Sequence, residues 1–201
     1  MIKRIVSIAL SVALVLSVCA TYAITFAQNH SGVWSSICSL TDEDVEWINE
    51  RYSKYETVEE LICAVNKDIC TEYSYQDDKQ YFLGMQYFDF PDFIKSKKGL
   101  CFDFSCYLKS VFLVCGDNLK YSDDIKVYVC DVKLKSGGYH SYNFVSFKDT
   151  TGEEIKYYVD ITDNLYHHSN SEEYQTYYYI AEDTYQEFAS NMFDDKIRNF
   201  H

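Results

Sequence analysis

The chain has 201 residues, of which 47% are hydrophobic and 17% aromatic, enough apolar material for one domain with a core and too much for a disordered chain. Its formal charge of −13 argues against nucleic acid or an anionic membrane surface as a partner. Twenty tyrosines beside a single proline favour β-rich structure with few rigid linkers.

The first predicted element is a leader. "MIKRIVSIALSVALVLSVCATYAITFAQNH" sets Lys3 and Arg4 ahead of an apolar core and ends in small residues at Thr25-Phe26-Ala27. That is the pattern of an export signal spanning 1–27, cleaved after Ala27 or alternatively after Ala23. The expectation is a secreted or cell-surface protein. Two variants would keep it at a membrane: an uncleaved anchor over Ile5 to Ala27, or lipidation of Cys19, for which Val18 is an ill-fitting neighbour. Residues 28–201 then read as one domain, without repeats, low-complexity tracts or linkers.

Two helices follow. Thr41 caps one, with Glu43, Asp44 and Glu46 near its positive end. Thr57 caps the other, with Glu60 completing a capping box, and Val58, Leu61, Ile62, Val65 and Ile69 recur at helical spacing. Residues 71–98 read as irregular, with Pro91 in "FDFPDF" marking a turn. A third helix is predicted from Cys101 to Cys115, with Leu108, Val111, Phe112 and Cys115 on one face and "CGDN" as its stop. The period then changes to two. "DIKVYVCDVKL", "HSYNFVSFK" and "IKYYVDIT" alternate as strands separated by "SGGY" and "DTTGEE". "YQTYYYIA" is a weaker fourth strand, and "DTYQEFASNMFDDKIRNF" returns to a helical pattern. Helices first and an antiparallel sheet after them make an α+β fold.

Loss of the leader leaves seven cysteines, Cys38, Cys63, Cys70, Cys101, Cys106, Cys115 and Cys130, so an exported chain keeps at least one unpaired thiol. If Cys101 is that thiol, the other six could form three bridges or remain buried thiols, since a chain of this size needs no staples. No CxxC motif and no acidic calcium-type loop occurs, so no metal and no other cofactor is expected.

Three segments carry the chemistry: "GLCFDFS", "YHSYNFV" and "YYVDIT". They place Cys101 at a helix start, His140 at the start of one strand and Asp160 near the end of the next. A helix N-terminus favours thiolate over thiol. A neutral imidazole within reach takes the thiol proton, and a carboxylate on its other nitrogen fixes the tautomer. Antiparallel strands joined by a short hairpin bring His140 and Asp160 within reach if their register agrees. Backbone N–H groups at the same helix start could hold an oxyanion. Asp103 reads as a first-turn helix acid and Cys106 as core.

These segments resemble the transglutaminase-like superfamily, relatives of papain-type thiol enzymes. Its pattern runs approximately Gly-x-Cys-x-x-aromatic-small, His-small-Trp-Asn and Trp/Tyr-x-Val-Asp-x-Thr. Here the matching residues are Gly99 to Ser105, His140-Ser141-Tyr142-Asn143 and Tyr157 to Thr162, with "NKDICTEYSY" resembling the helix that commonly precedes them. The resemblance covers about residues 58–162. Tyr142 stands in place of Trp and Ile161 in place of Pro. It implies a papain-like fold with Cys101 as nucleophile, His140 as general base and acid, and Asp160 as orienting carboxylate. The substrate it implies is a peptide or side-chain amide, with hydrolysis favoured over transfer to an amine. The rivals are a cross-linking acyl transferase, a non-catalytic surface-binding module on the same fold, and a disulfide-stabilised domain in which Cys101 is itself bridged.

Overall fold

The computed structural model of the chain describes residues 40–76, 88–133, 138–168 and 199–200. The predicted leader, Cys38, and the predicted fourth strand with nearly all of the C-terminal helix lie outside the described residues. Within them the protein is α+β, helices first and a four-stranded antiparallel sheet after.

Helix α1 (Asp42–Tyr52) starts where Thr41 closes a full capping box with Asp44: the Asp44 N–H donates to Thr41 Oγ1 at 3.2 Å, and the Thr41 N–H to Asp44 Oδ2 at 2.8 Å. Helix α2 (Val58–Glu72) is capped by Thr57, whose Oγ1 accepts from the Glu60 N–H at 3.1 Å. The Glu60 carboxylate takes the N–H of Glu56 at 3.0 Å, so the predicted box closes one residue further back. All five predicted core residues of α2 are 0% exposed.

Pro91 does not mark a turn. It lies in the first turn of a short helix α3 (Phe90–Ser96), where its missing N–H would have had no helical partner, and Asp89 caps the element by accepting the Asp92 N–H at 2.9 Å. A seven-residue helix carries too few turns for its period to be read in the sequence. It buries Phe90 and Phe93, and Phe93 stacks on Tyr73 with centroids 4.8 Å apart. Lys97 ends α3 in the left-handed conformation, φ 55°. Its ammonium donates to Glu72 at 2.9 Å and to the Tyr73 hydroxyl at 3.2 Å, and lies over the Tyr73 ring. Strand β1 (Ser74–Tyr75) then pairs in parallel with β2 (Lys98–Gly99), tying the end of α2 to the residues ahead of Cys101.

Helix α4 runs from Cys101 to Cys115 as the period predicts and yields to a 3₁₀ turn at Gly116–Asn118. The predicted face Leu108, Val111, Phe112 and Cys115 is buried, but so are all residues from Cys101 to Leu108. This is a central helix rather than a one-faced one. On one side it packs against α1, where Tyr107 donates to the Tyr52 hydroxyl at 2.7 Å and Tyr52 donates to Asp68 at 2.6 Å. The Arg51 guanidinium also holds Asp68, at 2.6 Å. Burial raises both tyrosine pKa values, keeping the hydroxyls protonated and able to donate. Each of these buried hydroxyls, left unpaired, would cost about 1–3 kcal/mol.

On its other side α4 meets the sheet. Strands β3 (Asp123–Lys133), β4 (Tyr139–Lys148), β5 (Glu154–Val159) and β6 (Asn199–Phe200) lie in the order β5-β4-β3-β6. Val129, Asn143 and Val159 stand side by side on β3, β4 and β5, all 0% exposed. At alternate positions Cys130, Val132, Tyr142 and Tyr158 form a second buried cluster. Two endings differ from the sequence reading. Alternation carries the third predicted strand to Thr162, but the strand stops at Val159 and helix α5 (Ile161–His168) begins. The helical pattern of the tail ends in a strand instead, since Asn199 and Phe200 pair with Asp131 and Cys130.

The glycine before the thiol is dictated by space. A Cβ at Gly99 would lie 2.7 Å from Phe93 Cε2 and 2.9 Å from Asp103 Cβ, and Phe93 is fixed in the aromatic core. Gly99→Ala is expected to lower the unfolding free energy by about 1–3 kcal/mol, measured by denaturant titration. An unchanged midpoint would show that this packing is looser than described.

Candidate active site

Three elements deliver the three predicted residues. Cys101 is the first residue of α4, and the helical ladder begins only with the bond from the Phe104 N–H to the Leu100 carbonyl. The N–H groups of Cys101, Phe102 and Asp103 thus precede the first rung, at the positive end of a 15-residue helix. Asp103 is the predicted first-turn acid. Wholly buried, it turns back to accept the Leu100 N–H at 2.8 Å, which fixes the turn that presents Cys101.

His140 is the second residue of β4, and Asp160 follows the last residue of β5. The β4–β5 register pairs Asn143 with Val159. Continued to the strand ends, it sets His140 diagonally across from Asp160, a spacing that a long side chain spans. The imidazole bridges it: His140 Nε2–H donates to Asp160 Oδ2 at 2.5 Å. The ring is also hydrogen-bonded to the Cys101 side chain, which leaves Nδ1 as the nitrogen that serves the sulfur. All three predicted residues are therefore joined, sulfur to imidazole to carboxylate.

The electrostatics follow from this geometry. Burial acts most strongly on His140 and disfavours the charged ring. Hydrogen bonds and charge from Asp160 and Cys101 outweigh it and raise the pKa from 6.5 to about 10. Asp160 also has a second function, the strand-end cap that its place in the sequence allows. Its Oδ1 accepts the Asp163 N–H at 3.0 Å and starts α5, so "strand carboxylate" and "helix cap" describe the same residue.

The remaining thiols are of another kind. Cys70, Cys101, Cys115 and Cys130 carry free thiols, which removes the reading in which Cys101 is bridged and the reading in which these cysteines staple the fold. Burial pushes Cys70 and Cys115 up to about 11 and Cys130 up to about 12, far from nucleophilic at neutral pH. Cys106 is core, 0% exposed. His167 and His168 are the last two residues of α5.

One participant had no role assigned from the sequence. Asn143 appears in the motif "HSYN", yet period two alone gives no reason for a carboxamide at a core position. Its Nδ2 donates to the Ser105 carbonyl of α4 at 2.9 Å and to the Tyr128 carbonyl of β3 at 3.3 Å. Both partners are acceptors, which fixes the orientation of the amide. Oδ1 is buried with no hydrogen-bond partner among the described residues, a cost of about 1–3 kcal/mol.

No protein-family profile and no curated protein matches the sequence. A crystal structure from Cytophaga hutchinsonii, provisionally named a cysteine protease, is similar at 17% identity and a TM-score of 0.43. The similarity covers 60% of this chain and 37% of that one.

Because the folded chain holds the His140 proton more tightly than the unfolded chain does, the resulting stability is complete below pH 6.5 and is lost as the pH rises through about 10. The stability difference between wild type and His140→Gln is expected to shrink across that window, measured by chemical denaturation at stepped pH. A difference that stays level from neutral to alkaline pH contradicts the raised pKa.

Proposed function

We propose that the chain is an exported thiol enzyme of the transglutaminase-like type, acting on peptide or side-chain amide bonds. The supporting observation is the hydrogen-bonded run from Cys101 through His140 to Asp160 at the start of a buried helix. With its pKa raised to about 10, His140 already carries a proton on Nδ1 at neutral pH, and the Cys101 sulfur, paired with that imidazolium as thiolate, attacks the amide carbon, forming a C–S bond and an oxyanion. The Cys101 N–H at the helix start lies where it can hold that charge. Collapse breaks the C–N bond, and the imidazolium gives its proton to the departing amine. Water, deprotonated by the now neutral ring, cleaves the thioester, releases a carboxylic acid and restores the thiol. An amine in place of water would make the same enzyme a cross-linker. Asp160 stabilises the imidazolium in both halves and prevents the ring from turning.

Turnover of a fluorogenic peptide library is expected to fall on the order of 10³-fold or more in Cys101→Ala, with the fold retained by circular dichroism. Parallel assays with an added primary amine separate hydrolysis from transfer. Wild-type Cys101 should react with iodoacetamide at pH 6 faster than free cysteine does. A rate no greater than that of free cysteine, read by peptide mapping, would replace the enzyme by a binding module.

Export rests on the basic, apolar and small-residue order of residues 1–27. Among the described residues, no helix is long and apolar enough to cross a membrane. Intact-mass analysis of protein recovered outside the producing cell should give a chain beginning at Gln28. Recovery of only the full-length chain, with the cells, overturns cleavage.

A further inference from the structure

We propose that Asn143 is the positioning residue of this site, holding the thiol-bearing helix and the imidazole-bearing strand at their reactive separation. The inference rests on the enzyme reading above and extends it to a residue that touches none of the reacting atoms.

Cys101 and His140 belong to different layers, so their separation depends on how α4 is seated on the sheet. Apolar packing sets the distance between layers but permits sliding, because it has no direction. A hydrogen bond between buried groups does have direction. Asn143 stands three residues along β4 from His140, and the carbonyl it grips, that of Ser105, stands one helical turn along α4 from Cys101. The same amide nitrogen reaches the Tyr128 carbonyl on β3. One wholly buried side chain thus pins the helix to two adjacent strands, next to the pair that must meet.

The composition of the position supports this role. An apolar side chain would suit a site flanked by Val129 and Val159, and it would avoid burying an oxygen without a partner. A core position that breaks the local rule marks a place where specificity is obtained at the expense of stability. The donor half of the amide is the part in use.

Loss of that donor should have a signature that simple destabilisation lacks. At pH 9 a thiol ionises without help, whereas at pH 6 thiolate exists only through the imidazole. Asn143→Leu, of similar volume, is therefore expected to reduce Cys101 alkylation by iodoacetamide about tenfold or more at pH 6 and to leave the rate at pH 9 within about twofold of wild type. Val145→Ala, in the same buried strand but with the amide intact, should lose stability and keep the wild-type pH profile. General loosening would instead expose the sulfur and speed labelling at pH 9.

If wild type itself shows no excess reactivity at pH 6, the enzyme reading fails. If wild type shows it and folded Asn143→Leu retains it, the enzyme reading stands and the role of Asn143 is overturned. Should Asn143→Leu not fold, the wild-type protein decides the matter. The side-chain amide resonance of selectively labelled Asn143 should shift as His140 titrates, and a resonance that does not move over that range overturns the proposal.

Discussion

The carboxylate of Asp160 is shared between two tasks, and the site depends on that sharing. One oxygen receives the His140 ring and the other receives the first turn of α5. A carboxylate held at one oxygen can still rotate about its side-chain bonds; held at both, it has a fixed plane. The imidazole inherits that orientation, and with it the direction in which its second nitrogen points. The junction of β5 and α5 is thus where secondary structure becomes geometry at the sulfur.

The helix facing that ring is constrained from both sides. Toward the helical layer, Tyr107 reaches the Tyr52–Asp68–Arg51 chain of hydrogen bonds. Toward the sheet, the Ser105 carbonyl is held by Asn143. Between these, the first two turns of α4 are buried on all sides. Its N-terminus therefore keeps a constant relation to the strands, a condition for a thiol and an imidazole on separate layers to act as one pair.

The major elements and the three meeting residues were legible because each leaves a local mark. Thr41 and Thr57 are caps with acidic partners downstream, the apolar spacing of α2 and α4 is helical, and β3 to β5 alternate. What was not legible depends on partners distant in sequence. Pro91 has the same composition whether it turns the chain or opens a helix, and only the packing of Phe90 and Phe93 decides. Asp160 ends its strand because its own side chain offers a cap to Asp163, a competition that alternation cannot register. Asn143 looks like an ordinary polar position until α4 lies over it. The meeting of the three side chains was readable in the motif order, while the contacts that orient them became visible only in three dimensions.

Lys97 carries a different consequence. Its backbone adopts a conformation that glycine enters at little cost, yet the position holds a long cation whose head reaches Glu72 and Tyr73. A glycine there would relax the main chain and at the same moment release the tie. The segment leading to Gly99 is therefore balanced between torsional strain and an ion pair partly in water, and dissolved electrolyte weakens only the second. The stiffness of the path into the thiol helix becomes a property of the surrounding medium as well as of the fold, greatest in dilute buffer and lower in brine.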